Sequence, residues 1–169
     1  MSSKDLPLMR GALALAEGTP LRQLTDSQLL PCCSLVACWA LQVAGRAPDA
    51  ATDIGAWSRA GPAGWWARAN VWDAQNPWSA LEAIEELLGG TLDGPGDPSS
   101  TWPRAPSGWS VWQDWRDDYS AGHTYLVHLG RGGIRVVQSS TSRGYRDQAV
   151  ALPLHPHRLQ QVLDLPVEI

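Results

Sequence analysis

The hydrophobic period of this chain changes once, and that change limits its fold more than any other feature. Up to residue 88 apolar side chains recur at three- and four-residue spacing, and from Gly108 onward they alternate. The first regime predicts a helix over residues 6–17, with Leu8, Ala12 and Leu15 on one stripe and Gly18 at its end. It predicts a second helix from Cys33 to Ala44, stopped by Gly45 and apolar almost all round, as suits the middle of a protein. A short helix is expected over Thr52 to Arg59. Another is expected over residues 77–88, where Asn76 can cap, Pro77 suits the first position, and Leu81, Ile84 and Leu88 form a stripe ended by Gly89-Gly90. The second regime predicts strands at Trp109–Trp115, His123–Leu129, Ile134–Ser140, Tyr145–Leu152 and Gln161–Val167. Helices first and strands later argue for an α+β domain whose antiparallel sheet packs against the early helices.

Residues 91–107 contain four Pro with Gly, Ser and Asp and read as a long surface loop. Too few residues follow for a second core, so residues 1–169 are expected to form a single domain. The 17 acidic and 13 basic residues give a net charge of -4 without basic clustering, which speaks against nucleic acid as a partner. No stretch approaches a membrane span, and Met1-Ser2-Ser3-Lys4-Asp5 lacks a signal-peptide pattern, so synthesis as a cytoplasmic product is expected. Ten Trp and no Phe mean that Trp must fill core positions. Trp57, Trp65, Trp66, Trp72 and Trp78 fall close together, where core packing is the ordinary reading and a carbohydrate-stacking wall the functional one.

The three cysteines, Cys32, Cys33 and Cys38, lie too close together for a useful crosslink and are expected to be reduced. Cys33 follows Pro31 at the start of the apolar helix, where unpaired N–H groups and the macrodipole favour a thiolate. A base must come from elsewhere, and His123 opens a strand. Alternation aims His123, Tyr125, Val127 and Leu129 to one side. Across the Gly130-Arg131-Gly132-Gly133 turn, Ile134, Val136 and Gln138 form the matching face. This face is expected to be the core side, with His128, Arg135 and Ser139 on a wetter one. Gln138 then lies directly or diagonally across from His123 and can accept from the ring N–H, whereas a register shifted by one would offer Ser139.

Singly, each residue has an ordinary reading: an inert buried thiol, a satisfied half-buried histidine. Jointly, a helix-start Cys, a strand-start His and a polar residue on the next strand form a nucleophile, base and orienter. No cofactor is implied. His128, His155 and His157 match no strong zinc spacing, so no metal site is expected.

These segments resemble the NlpC-type bacterial cell-wall cysteine peptidases and their CHAP-type amidase cousins, a papain-like superfamily. Cys33-Ser34-Leu35-Val36 is similar to that family's Asp-Cys-Ser-Gly-Leu-Val stretch, and Ala12 to Pro20 to its preceding helix and turn. His123 to Gly130 is similar to its His-Val-Gly-Ile-Tyr-Leu-Gly strand, and Val136 to Ser140 occupies the place of its third polar residue. Cys32 stands where the family often has Asp, and Gln138 where it often has His or Asn. The resemblance implies a papain-like fold in which Cys33 is nucleophile, His123 base and Gln138 orienter. Gln28 resembles the upstream Gln that serves the oxyanion in papain-like enzymes. The implied activity is amide hydrolysis through a thioester, with a peptidoglycan peptide as substrate, reached by phage lysis, an injection apparatus or another non-standard export route. Two other readings use the same fold: acyl transfer to an acceptor other than water, and a non-catalytic Trp-rich binding module.

Overall fold

The structure is a computed structural model that describes residues 32–45, 65–70, 76–97, 108–130, 132–140 and 142–165. The helices expected over 6–17 and 52–59, and Gln28, lie outside these residues. Three helices precede or flank the sheet: α1 (Cys32–Val43), α2 (Trp65–Asn70) and α3 (Ser79–Leu88). Six strands follow: β1 (Thr91–Gly96), β2 (Gly108–Trp115), β3 (Gly122–Gly130), β4 (Gly133–Ser140), β5 (Gly144–Ala149) and β6 (Leu159–Asp164). They form one antiparallel sheet in the order β1-β6-β2-β3-β4-β5, so the chain is α+β.

The described side chains of helix α1 are buried from Cys32 to Leu41. Leu35, Val36, Ala37, Trp39, Ala40 and Leu41 are all buried, as a helix lacking any charged residue requires. Gly45 ends it at φ +67°, in the left-handed region that a Cβ disfavours. In α3, Leu81 and Ile84 are buried and Leu88 is half-buried, as the periodicity predicts, but the cap differs from expectation. The Asn76 carbonyl, not its side chain, accepts from the Ser79 N–H at 3.3 Å, and Trp78 is the capping residue.

The largest departure from the sequence reading lies at residues 91–96, expected to be loop. Thr91, Leu92 and Asp93 pair with β6 opposite Asp164, Leu163 and Val162, and the register slips before Gly96 meets Gln160. Proline is compatible with a strand at a sheet edge, where its missing N–H leaves no neighbour unbonded. Composition alone signals only the breakers.

Alternation predicts a buried face and a wetter one, and the structure corrects this: the central strands are buried on both faces. Val111, Leu126, Val137 and Leu163 share a core cluster with residues of α1, α2 and α3. Trp112, Tyr125, Val127, Val136 and Val162 form a second cluster, joined by Val150, Leu152 and Leu154 from the segment after β5. Ser139, expected on the wet side, is fully buried. The chain segment over the second face supplies the burial that local periodicity does not reveal.

Trp takes the place of Phe in the core, and three buried indoles donate to named acceptors. Trp65 Nε1 donates to the Ala83 carbonyl at 2.5 Å, Trp112 Nε1 to Ser110 Oγ at 2.9 Å, and Trp115 Nε1 to the Pro77 carbonyl at 2.6 Å. Trp65 is thus a core residue and takes no part in a surface wall; Trp57 and Trp72 lie outside the described residues.

Candidate active site

The β3–β4 hairpin sets the first pair of groups. Its ladder runs from Gly130 opposite Gly133 through Leu129–Ile134, His128–Arg135 and Val127–Val136 to Leu126 opposite Val137. There the pairing stops, although β3 continues to Gly122 and β4 to Ser140. Continuing the register would put Gln138 opposite Tyr125, diagonal to His123 and on the same face. The side chains meet there: His123 Nε2 lies 2.8 Å from Gln138 Oε1. Because an amide oxygen only accepts, Nε2 carries the proton and Nδ1 is the nitrogen available to a thiol.

That thiol belongs to Cys32. Helix α1 begins one residue earlier than expected, and the Cys32 sulfur hydrogen-bonds His123 and the backbone N–H of Thr124. Cys33, expected to be the partner of His123, is the next residue of the helix. Successive helix residues point about 100° apart, so the two adjacent cysteines leave the helix in different directions. Cys33 hydrogen-bonds the Cys32 sulfur. Cys32 and Cys33 are both buried and neither is in a disulfide.

Electrostatics favour charge separation within this pair. The hydrogen bond from Cys33 is the largest influence holding the Cys32 thiol well below its ordinary pKa. Burial opposes it, and the hydrogen bond and charge of His123 and the Thr124 N–H add to it. For His123, burial is the largest single influence and favours the neutral ring. The hydrogen bond and charge of Cys32, with Gln138 and the charge of Asp114, outweigh it and raise the pKa above the ordinary value. A lowered thiol and a raised imidazole in contact both shift the pair toward thiolate and imidazolium.

A supporting layer went unrecognised in the sequence. Asp114 on β2 stands opposite His123 in register, is fully buried, and accepts from His155 Nδ1 at 2.7 Å and Arg158 Nη1 at 2.8 Å. His155, read from the sequence as a surface histidine, meets the His123 ring edge-on with centroids 5.9 Å apart. Tyr125 stacks on His123 at 5.2 Å, and burial together with the nearby Asp114 charge holds its hydroxyl protonated, with a pKa well above the ordinary value. The available signal was Asp114 itself, the one charged residue of a strand that carries three Trp. Thr124 is fixed from below by donating from Oγ1 to Gln113 Oε1, its cross-strand partner.

Gly122 admits the imidazole's strand to this position. A Cβ there would sit 2.6 Å from the Asp114 carbonyl oxygen and 2.7 Å from the Trp115 ring. Beside His123 and Gln138 opens a cleft of about 360 Å³, bordered also by His155, Arg143, Arg146 and Arg158. Among the described residues no three His, Cys, Asp or Glu side chains converge as metal ligands, and no helix is long and apolar enough to cross a membrane. Set against models of known families, curated proteins and solved structures, the chain matches none of them.

Proposed function

We propose that this chain is a cysteine amide hydrolase of papain-like type, with Cys32 as nucleophile, His123 as acid–base and Gln138 holding the imidazole tautomer. What supports this reading is the half-buried His123 ring, whose Nε2 lies 2.8 Å from the Gln138 amide oxygen and which also hydrogen-bonds the Cys32 sulfur. The Cys32 thiolate attacks a substrate carbonyl carbon, and the electron pair of the C=O bond moves onto oxygen. The N-terminal end of α1, where backbone N–H groups point outward, supplies the donors for that oxyanion. Collapse breaks the C–N bond, and the amine leaves with the proton from His123 Nδ1. The neutral imidazole then takes a proton from water, which attacks the thioester, releasing a carboxylic acid and restoring Cys32.

The resemblance to NlpC-type enzymes makes a peptidoglycan peptide the first substrate to test. Wild-type protein and Cys32→Ala are incubated with purified peptidoglycan fragments, and new amines are sought by mass spectrometry. Release by the wild type alone, at a rate reduced at least ~10²-fold in the variant, is expected. Equal release by both proteins removes Cys32 from the mechanism.

A further inference from the structure

The cleft beside His123 carries a charge imbalance that the hydrolase reading does not use. His123 on β3, Gln138 on β4 and Arg146 on β5 lie in a row across three neighbouring strands, with Gln138 directly opposite Arg146 in register. Arg143, in the turn between β4 and β5, stands at the end of the row, its N–H fixed on Ser140 Oγ at 3.0 Å. Arg158 closes the other side. Three guanidinium groups thus border one cleft, and the carboxylate beside it, Asp114, is already engaged by Arg158 and His155. Among the described residues Arg143 and Arg146 have no carboxylate partner, and the buried Arg146 Nε has no hydrogen-bond partner. The other arginine of this hairpin differs: Arg135, on the opposite face, pairs with Asp147 at 2.8 Å. Burial and the charge of Arg143 both push the Arg146 pKa down, the mark of a cation left without a counter-charge.

We infer that Arg143 and Arg146 form an anion subsite, which binds a carboxylate or phosphate group of the substrate next to the catalytic imidazole. The inference rests on the hydrolase reading for its role, though not for its binding. A planar guanidinium matches both anions through paired N–H donors, and a buried, unpaired Nε is a donor awaiting an acceptor. Seated there, the anion would also face the His123 imidazolium across the cleft.

Binding is measured on Cys32→Ala, which cannot turn over, so the result does not depend on catalysis. Isothermal titration uses three probes: glutarate, inorganic phosphate and the uncharged glutaramide. Saturable binding of one or both anions and none of glutaramide is expected; which anion binds more tightly assigns the group as carboxylate or phosphate. Adding Arg143→Gln should weaken it about tenfold, and Arg146→Ala at least as much. Arg143 is exposed, so its variant tests the site without disturbing the core, and Arg146→Lys should bind better than Arg146→Ala. Equal binding of glutaramide, or anion binding unchanged by both arginine variants, overturns the subsite. If the anions bind as expected while wild-type protein releases no amine from any acyl substrate, the hydrolase reading fails and the subsite stands.

Discussion

At Cys32 the chemistry depends on which groups face the sulfur. Cys33, His123 and the Thr124 N–H all favour its anion, so the alkylation rate of Cys32 should rise through a pH range below that of an ordinary thiol, near 8.5. Replacing His123 with Ala removes a hydrogen bond and a positive charge, and should move the inflection upward. Cys33→Ala should move it in the same direction while leaving Cys32 reactive, which separates the neighbour from the nucleophile. Hydrolysis should follow a bell. It rises as Cys32 deprotonates at its lowered pKa, and falls as His123 loses its proton above its raised one, because the amine then leaves without an acid. Gln138→Ala should lower kcat about tenfold without abolishing it, since the ring keeps its thiol partner but loses the acceptor that fixes its tautomer.

At the scale of elements, the site depends on where β3 begins and how α1 meets it. Gly122→Ala should destabilise the fold by about 2 kcal/mol or more, because its Cβ meets backbone at Asp114 and the indole of Trp115; chemical denaturation measures this. Trp65→Phe should cost about 1 kcal/mol in the same experiment, since the indole hydrogen bond to the Ala83 carbonyl is lost. Five of the six strands, and helices α1 and α3, are legible in local periodicity. β1 is not, because Gly94 and Pro95 carry the signature of a turn and only the finished sheet shows that they lie at an edge. The pairing of His123 with Gln138 is legible because alternation and a short Gly-rich turn fix a hairpin's register. The choice between Cys32 and Cys33 is not. It turns on the rotation of α1 about its own axis, which is set by the whole buried surface of the helix and not by the Pro-Cys-Cys sequence.

Across the whole molecule, two buried clusters enclose the sheet, and His123 and Gln138 meet where β3 and β4 part. The cationic cleft next to them adds a preference that composition concealed: the chain as a whole is acidic, yet this cleft is bordered by three arginines. Asp114 ties the two regions together, since it neutralises Arg158, orients His155 and adds to the field at His123. Asp114→Ala should therefore destabilise the fold by about 3 kcal/mol or more, by leaving Arg158 without its partner. It should also tighten glutarate or phosphate binding by removing a negative charge beside the cleft. The central claim concerns a single thiol, and competitive labelling of the native protein tests it most directly. With iodoacetamide, the modification rates of Cys32, Cys33 and Cys38 are followed by peptide mass spectrometry across pH, in wild type and in His123→Ala. Cys32 should be labelled fastest, with an inflection below the ordinary thiol range that shifts upward without His123. Labelling of Cys33 ahead of Cys32, or a Cys32 profile indifferent to His123, would contradict it.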